Sequence, residues 1–368
     1  MKKGTLKILY LLPALIAMMF FFVSRSSEDV LQRFSILFIG DILLANEAEE
    51  HINAYGTDYP FKRIKEDLLK YDYVVGNLET PITARGVPYT DKAYTFRLHP
   101  SSARALKDLK LDAVFLSNNH LMDYGRVGME DTIVYLDNNN ISHAGGGKNI
   151  SDARRPILIK HDNISICILS YCDRPPSDFY ASDEKPGIAP LDLDKIKDDI
   201  AIWKNPKTIV ILSLHWGIEH THEPQYYQKK MAREIIDAGA DAIIGHHPHW
   251  PQGIEIYCSK PVVYSLGNFV NGFTNAIERD NMAVVMYYAN SALERIKIIP
   301  VAGKNSVIKY QPYILTGPGA SALLNLVRVL SGKLNTDIDI TPAYGLIDLG
   351  QQDAQIGKRE EQPSRKPL

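Results

Sequence analysis

The chain of 368 residues is 45% apolar and 23% charged, enough for a large core and more than one minimal domain needs. Its 41 basic and 43 acidic side chains give a formal net charge of -2, with no basic stripe, zinc-knuckle spacing or heptad run, which argues against nucleic acid as a partner. Cys167, Cys172 and Cys258 form no C-x-x-C pair, which argues against a disulfide framework or a thiol-ligated metal site.

Lys2, Lys3 and Lys7 precede an uncharged run of 17 residues, Ile8–Ser24. The charges predict a cytoplasmic N-terminus, and the length predicts a short membrane-spanning helix. No A-x-A site follows, so an uncleaved signal-anchor over 1–30 is favoured over a cleaved signal. The expected protein sits in the cell membrane, single-pass, with 31–345 as an extracytoplasmic domain and 346–368 as a polar, disordered tail. FSILFIGD (34–41) predicts a strand ending on a Gly-Asp turn. Helices are predicted at 61–72, 102–112 and 129–140, each next to a strand-like run, with strands at 73–79 and 113–120. A strand at 208–217, a helix at 225–241 leading into AIIGHHPH, and a strand at 261–270 follow. This alternation predicts an α/β fold with parallel pairing and covering helices. Strand-like segments after residue 280 are expected to form a second sheet of a layered sandwich, with a late helix at 320–334.

In open α/β sheets, ligands bind beyond the carboxyl ends of the strands. Those ends read Gly40-Asp41, Gly76-Asn77-Leu78-Glu79, Asn118-Asn119-His120 with Asp123 close behind, His215-Trp216-Gly217, His246-His247-Pro248-His249 and Gly267-Asn268. Oxygen and imidazole donors together suit a borderline divalent metal, Mn, Fe or Zn. A carboxylate set between two ions can bridge them. Singly, most of these residues have a plainer reading. Gly-Asp is common turn chemistry, a lone His215 can be a satisfied core residue, and His220 and His222 read as a solvated loop. The H-x-H of His247 and His249, leaving an apolar strand, is the specific signal, because alternate side chains point to one side.

In this order the motifs resemble the bacterial capsule-synthesis CapA family of poly-γ-glutamate production, within the metallophosphatase-like (calcineurin-like phosphoesterase) superfamily. The resemblance rests on GD (40–41), GNLET (76–80), YTFRLHP (94–100), FLSNNHLMDYG (115–125), HAGGGKN (143–149), LHWGIE (214–219), GHHPHWPQG (245–253) and YSLGNF (264–269). It implies a four-layer α/β/β/α sandwich with one or two divalent metal ions at the strand ends. By position it implies Asp41 and His249 on a first ion, and Asn119, His215 and His247 on a second. Glu79 would take the bridging place, and His120 would be the catalytic proton donor. Two positions depart from the superfamily pattern: Leu43 stands where a histidine is usual, and Glu79 where an aspartate is. The first ion is therefore expected to be short of a ligand.

Arg97, through its planar fork, is expected to meet a substrate carboxylate or phosphate, or else to form an ordinary surface ion pair. Trp216 is expected to wall the pocket or simply to pack, and Asn268 to contact substrate. Three functions fit. The leading one is a membrane-anchored component of poly-γ-glutamate synthesis and export, acting on the polyanionic chain with other membrane capsule-synthesis proteins. The second is a free-standing metal-dependent hydrolase of phosphate esters or of amide bonds in a cell-surface polymer. The third is a non-catalytic scaffold with a decayed site.

Overall fold

The computed structural model describes residues 31–274 and 277–350. The expected anchor, 1–30, and the expected tail beyond residue 350 lie outside the described residues. Among those described, no helix is long and apolar enough to cross a membrane.

β1 (Arg33–Ile42) is apolar on both faces and is buried accordingly. Phe34, Ile36 and Phe38 point into a core between two sheets, while Leu37 and Ile39 point to the opposite face, against helices. β2 (Tyr73–Leu78), β3 (Ala113–Phe115) and β4 (Ser142–Ala144) add in parallel to it. The covering helices on that side are α1 (Glu47–Tyr55), α2 (Arg104–Asp108) and α3 (Gly125–Asn138). A hairpin of β5 (Ile157–His161) and β6 (Ile164–Cys172) then opens a second sheet. α4 (Leu193–Trp203) leads to β7 (Thr208–His215), and α5 (Tyr226–Asp237) leads to β8 (Ala242–His246). β9 (Ile254–Tyr257) and β10 (Lys260–Val263) complete that sheet in the order β9-β10-β8-β7-β6-β5.

The chain then returns to the first sheet. β11 (Asn268–Val270) pairs with the end of β1, and β12 (Asn281–Ala289) runs antiparallel to β1. β13 (Ala292–Val301) follows, and α6 (Gly317–Gly332) packs Ala320, Leu323, Leu324 and Val327 into the core between the sheets. β14 (Asp339–Ile340) and β15 (Gly345–Asp348) finish the sheet, whose order is β14-β15-β13-β12-β1-β2-β3-β4. A third cluster, with Ile196 and Ile200 of α4 and Ile235 of α5, covers the outer face of the second sheet. The layers are therefore α/β/β/α.

Several expectations change. The segments after 280 widen the first sheet, and the second sheet comes from 157–263, because the apolar run ISICILSYC supplies β6, which pairs with both β5 and β7. The helix expected over 61–72 is reduced to one turn at Lys65–Leu68. The one expected over 102–112 closes at Asp108, with Lys110 in the left-handed region at φ +57°. Residues 346–348, placed in the tail, belong to β15, where Leu346 and Ile347 pair with Lys297 and Ile296. All three cysteines are free.

Two glycines bring the strand ends close enough to share a site. A Cβ on Gly40 would lie 1.9 Å from the Gly267 carbonyl oxygen, and one on Gly245 would lie 1.9 Å from the Tyr264 carbonyl oxygen. Their neighbours in the chain are Asp41 and His246.

Candidate metal centre

Asp41 ends the inward-facing stretch of β1 and is fully buried. The Asn77 amide donates to its Oδ1 at 2.8 Å, and His246 Nδ1 stands 2.9 Å from the same oxygen. The His247 backbone N–H donates to Oδ2 at 3.3 Å, and His249 Nδ1 lies 3.5 Å from it. Burial alone would raise this carboxyl, but the contacts with His246 and His249 outweigh it and hold Asp41 well below the usual carboxylate range.

A second group forms around His215, at the end of β7. Its Nε2 stands 2.8 Å from Asn119 Oδ1, 3.2 Å from His247 Nδ1 and 3.4 Å from Glu79 Oε1. Ligand atoms of Glu79, His215 and His247 lie within 4.8 Å of one another, and so do those of Asp41, Glu79 and His249. Glu79 is common to both sets. Burial and then His247 push His215 well below its ordinary value, and burial with His249 does the same to His247. Both imidazoles are thus kept in the neutral form that binds a metal.

The local backbone explains how two histidines of one loop reach one place. His247 has φ +94° and His249 φ +58°, left-handed values that cost a non-glycine residue about 1–3 kcal/mol. The two rings end 6.0 Å apart, one beside His215 and the other beside Asp41. His246, which is not among the expected ligands, supports Asp41 from behind.

Glu79 decides whether the donor set fits a divalent ion. It is fully buried, and neither of its carboxylate oxygens has a hydrogen-bond partner. Burial and the nearby Asp41 push it well above its usual range. A buried carboxylate without donors is costly. Imidazole nitrogens and the Asn119 amide oxygen stand around it, and this mixed N/O set suits a divalent ion.

His120 lies at the edge of this group. Its Nδ1 is 2.7 Å from Asp123 Oδ2, and Asp123 is fully buried. Burial keeps His120 below its ordinary value despite that carboxylate. Lys92, which the sequence did not single out, donates to Asp123 Oδ1 and to the Asn119 carbonyl oxygen, each at 2.5 Å. Asn77 and Asn118 were also missed as supports. The Asn118 amide donates to the Leu78 carbonyl, while its own oxygen accepts the backbone N–H groups of His120 and Leu121. The doubled asparagine beside His120 was the available signal, since such side chains satisfy loop backbone. Asn268 Oδ1 stands 2.8 Å from His249 Nδ1.

Two expected substrate residues lie elsewhere. Trp216 is fully buried behind the second sheet, stacked on Tyr264 at 6.0 Å, and its Nε1–H donates to the Tyr264 carbonyl. Strand alternation turns it away from its neighbour His215. Arg97 is exposed, with its guanidinium 4.7 Å over the Tyr124 ring. Phe96 takes the inward position next to it, with its backbone N–H donating to Asp123 at 2.7 Å.

The family described as "Bacterial capsule synthesis protein PGA_cap" matches residues 35–273. The PGA biosynthesis protein CapA of Bacillus subtilis (strain 168) is 34% identical over 283 residues, covering 76% of this chain and 73% of that protein. The capsule biosynthesis protein CapA of Bacillus anthracis is 29% identical over 279 residues, covering 73% and 67%. Among solved structures, a hypothetical protein from Thermus thermophilus is similar with a TM-score of 0.45 at 14% identity, covering 77% of this chain and 100% of that one.

Proposed function

The chain belongs to the bacterial capsule synthesis protein PGA_cap family, and we propose that it serves poly-γ-glutamate synthesis as a membrane-anchored protein. In this reading residues 1–30 hold it in the membrane, and the metal centre faces the extracytoplasmic side. There it acts on the emerging polyanionic chain beside other membrane capsule-synthesis proteins. Asp41, Glu79 and His249 hold one divalent ion, and Glu79, Asn119, His215 and His247 hold the other, with Mn, Fe or Zn as the metal. The observation that carries the reading is Glu79, buried without a hydrogen-bond donor where both donor sets meet.

A bound ion supplies Lewis acidity toward an acyl or phosphoryl oxygen. The remaining work falls to this chain's side chains. Asp123 holds His120 through Nδ1, which leaves Nε2 for the cavity that His120 lines. From there His120, neutral with its proton on Nδ1, can take a proton at Nε2 from an attacking water and give it to a leaving group. Lys92 ties Asp123 to the Asn119 carbonyl and so fixes the His120 loop against the metal ligands. Asn268 orients His249.

The test has two parts. The full-length chain purified in detergent is expected to carry one to two equivalents of a transition metal, reduced in the H215A variant. In cells lacking the gene, the wild-type chain is expected to restore capsule polymer and E79Q to fail. A wild-type chain with no effect on polymer would remove the capsule reading. An E79Q chain that restores polymer fully would remove the role of the metal.

A further inference from the structure

Beside the metal centre lies a cavity of about 290 Å³, with His120 and His249 among its lining residues. Rings extend from both histidines. Phe96 stands 4.6 Å from the His120 ring, with Phe273 5.7 Å and Tyr94 6.5 Å from Phe96. On the other side His220 stands 5.9 Å from His249 and 5.8 Å from Trp250. Apart from histidines, the charged side chains among the described lining residues are two carboxylates, Glu219 and Glu278, and none is lysine or arginine. Arg279, just outside the lining, rests 4.5 Å over Trp250. It donates to the Glu278 backbone carbonyl and occupies an aromatic face of the kind that attracts cations.

We propose that this aromatic and acidic cavity receives the free ammonium end of the glutamyl chain. This rests on the poly-γ-glutamate reading above. Every residue of a γ-linked glutamyl chain carries an α-carboxylate, which suits the cationic metal centre, whereas Glu219 and Glu278 suit a cation. The amino terminus is the one place where such a chain carries a cation. Aromatic faces attract an ammonium through their quadrupole, and the carboxylates attract it by charge. With the terminal ammonium against the aromatic and acidic wall, the α-carboxylate on the same carbon is left for the metal centre beside it. The site therefore engages the amino end of the polymer rather than its interior.

The test is calorimetric titration of the full-length, Mn-loaded chain in detergent with tri-γ-glutamate and with its N-acetylated form. The free amine is expected to bind several-fold tighter, the order of about 1 kcal/mol for one cation–π and charge contact at a partly open site. In E219Q, an exposed position outside the metal ligands, the preference is expected to fall to about two- or threefold. Equal binding of the two peptides overturns the ammonium site and leaves the capsule reading standing. An undiminished preference in E219Q also overturns it. If Mn binds but neither peptide does, the polymer reading fails and the proposal falls with it.

Discussion

Replacing Glu79 with glutamine removes one charge from the point where the two donor sets meet. An ion present at a hundred times its dissociation constant stabilises the folded chain by about 2.7 kcal/mol. At about 2.1 cal/mol/K per residue, the roughly 320 described residues unfold with about 0.7 kcal/mol/K. Each kcal/mol then moves the midpoint by about 1.5 °C, and saturating metal raises Tm by about 4 °C. Losing a supporting residue around a metal weakens binding about 10- to 100-fold, so losing a ligand costs at least about a hundredfold. At the same metal concentration the ion would then contribute about 0.4 kcal/mol, and the shift would drop below about 1 °C. With chelator present, E79Q is expected to melt no lower than wild type, because burial and Asp41 already oppose ionisation of Glu79. Scanning fluorimetry of both chains, with and without Mn, reads both quantities. An E79Q chain that keeps the full metal shift would refute the assignment of Glu79 as a ligand. One that melts several degrees lower in chelator would show that protein contacts, not an ion, satisfy this carboxylate.

Other perturbations separate the site from its scaffold. Leu43 is buried and lines the cavity with His249 and Asn268, so L43H is expected to add a donor to the Asp41–Glu79–His249 set; metal content by mass spectrometry should rise toward two equivalents, and an unchanged content would show that the imidazole does not reach. W216F removes the N–H that satisfies the Tyr264 carbonyl and leaves a gap in the core; urea denaturation should show a loss of about 2 kcal/mol with metal content intact. A W216F chain as stable as wild type but unable to bind metal would return Trp216 to the site. G245A places a methyl 1.9 Å from the Tyr264 carbonyl oxygen; a loss of about 3 kcal/mol is expected in the same assay, and a loss under about 1 kcal/mol would mean that the sheet shifts easily there.

The gathering of Asp41, Glu79, Asn119, His215, His247 and His249 was legible because each stands at or just beyond the carboxyl end of a strand, and a parallel sheet delivers such ends to one rim. Side-chain direction one residue further on was less legible. Trp216 was placed by adjacency to His215, but alternation turns it away; Arg97 was placed on its planar fork, which rests instead over the Tyr124 ring. The sheet assignment of 281–301 failed for a different reason. Alternating apolar patterns specify a buried strand but not which of two stacked sheets it joins, and the choice was made by the pairing of β12 with β1. α4 went unseen although Asp192 caps it by accepting from the backbone N–H groups of Asp194 and Lys195, because its charged residues hide the short apolar stripe of Ile196 and Ile200.

What the sequence could not convey is that the rim is expensive. His247 and His249 hold left-handed backbone, Asp41 is buried among imidazoles, and Glu79 is buried without a donor. Any one of these could be a local accident of packing. Together they fall within one group of side chains, while the supports around them, Asn77, Asn118, Asp123 and Lys92, are fully engaged in hydrogen bonds. A decayed scaffold would be free to relax those backbone angles and to cover Glu79 with a donor. Left-handed backbone also occurs at turns such as Lys110 and Asn140; its coincidence at two ligand positions with a donorless Glu79, inside a well-satisfied surround, is the pattern of a centre still shaped for an ion.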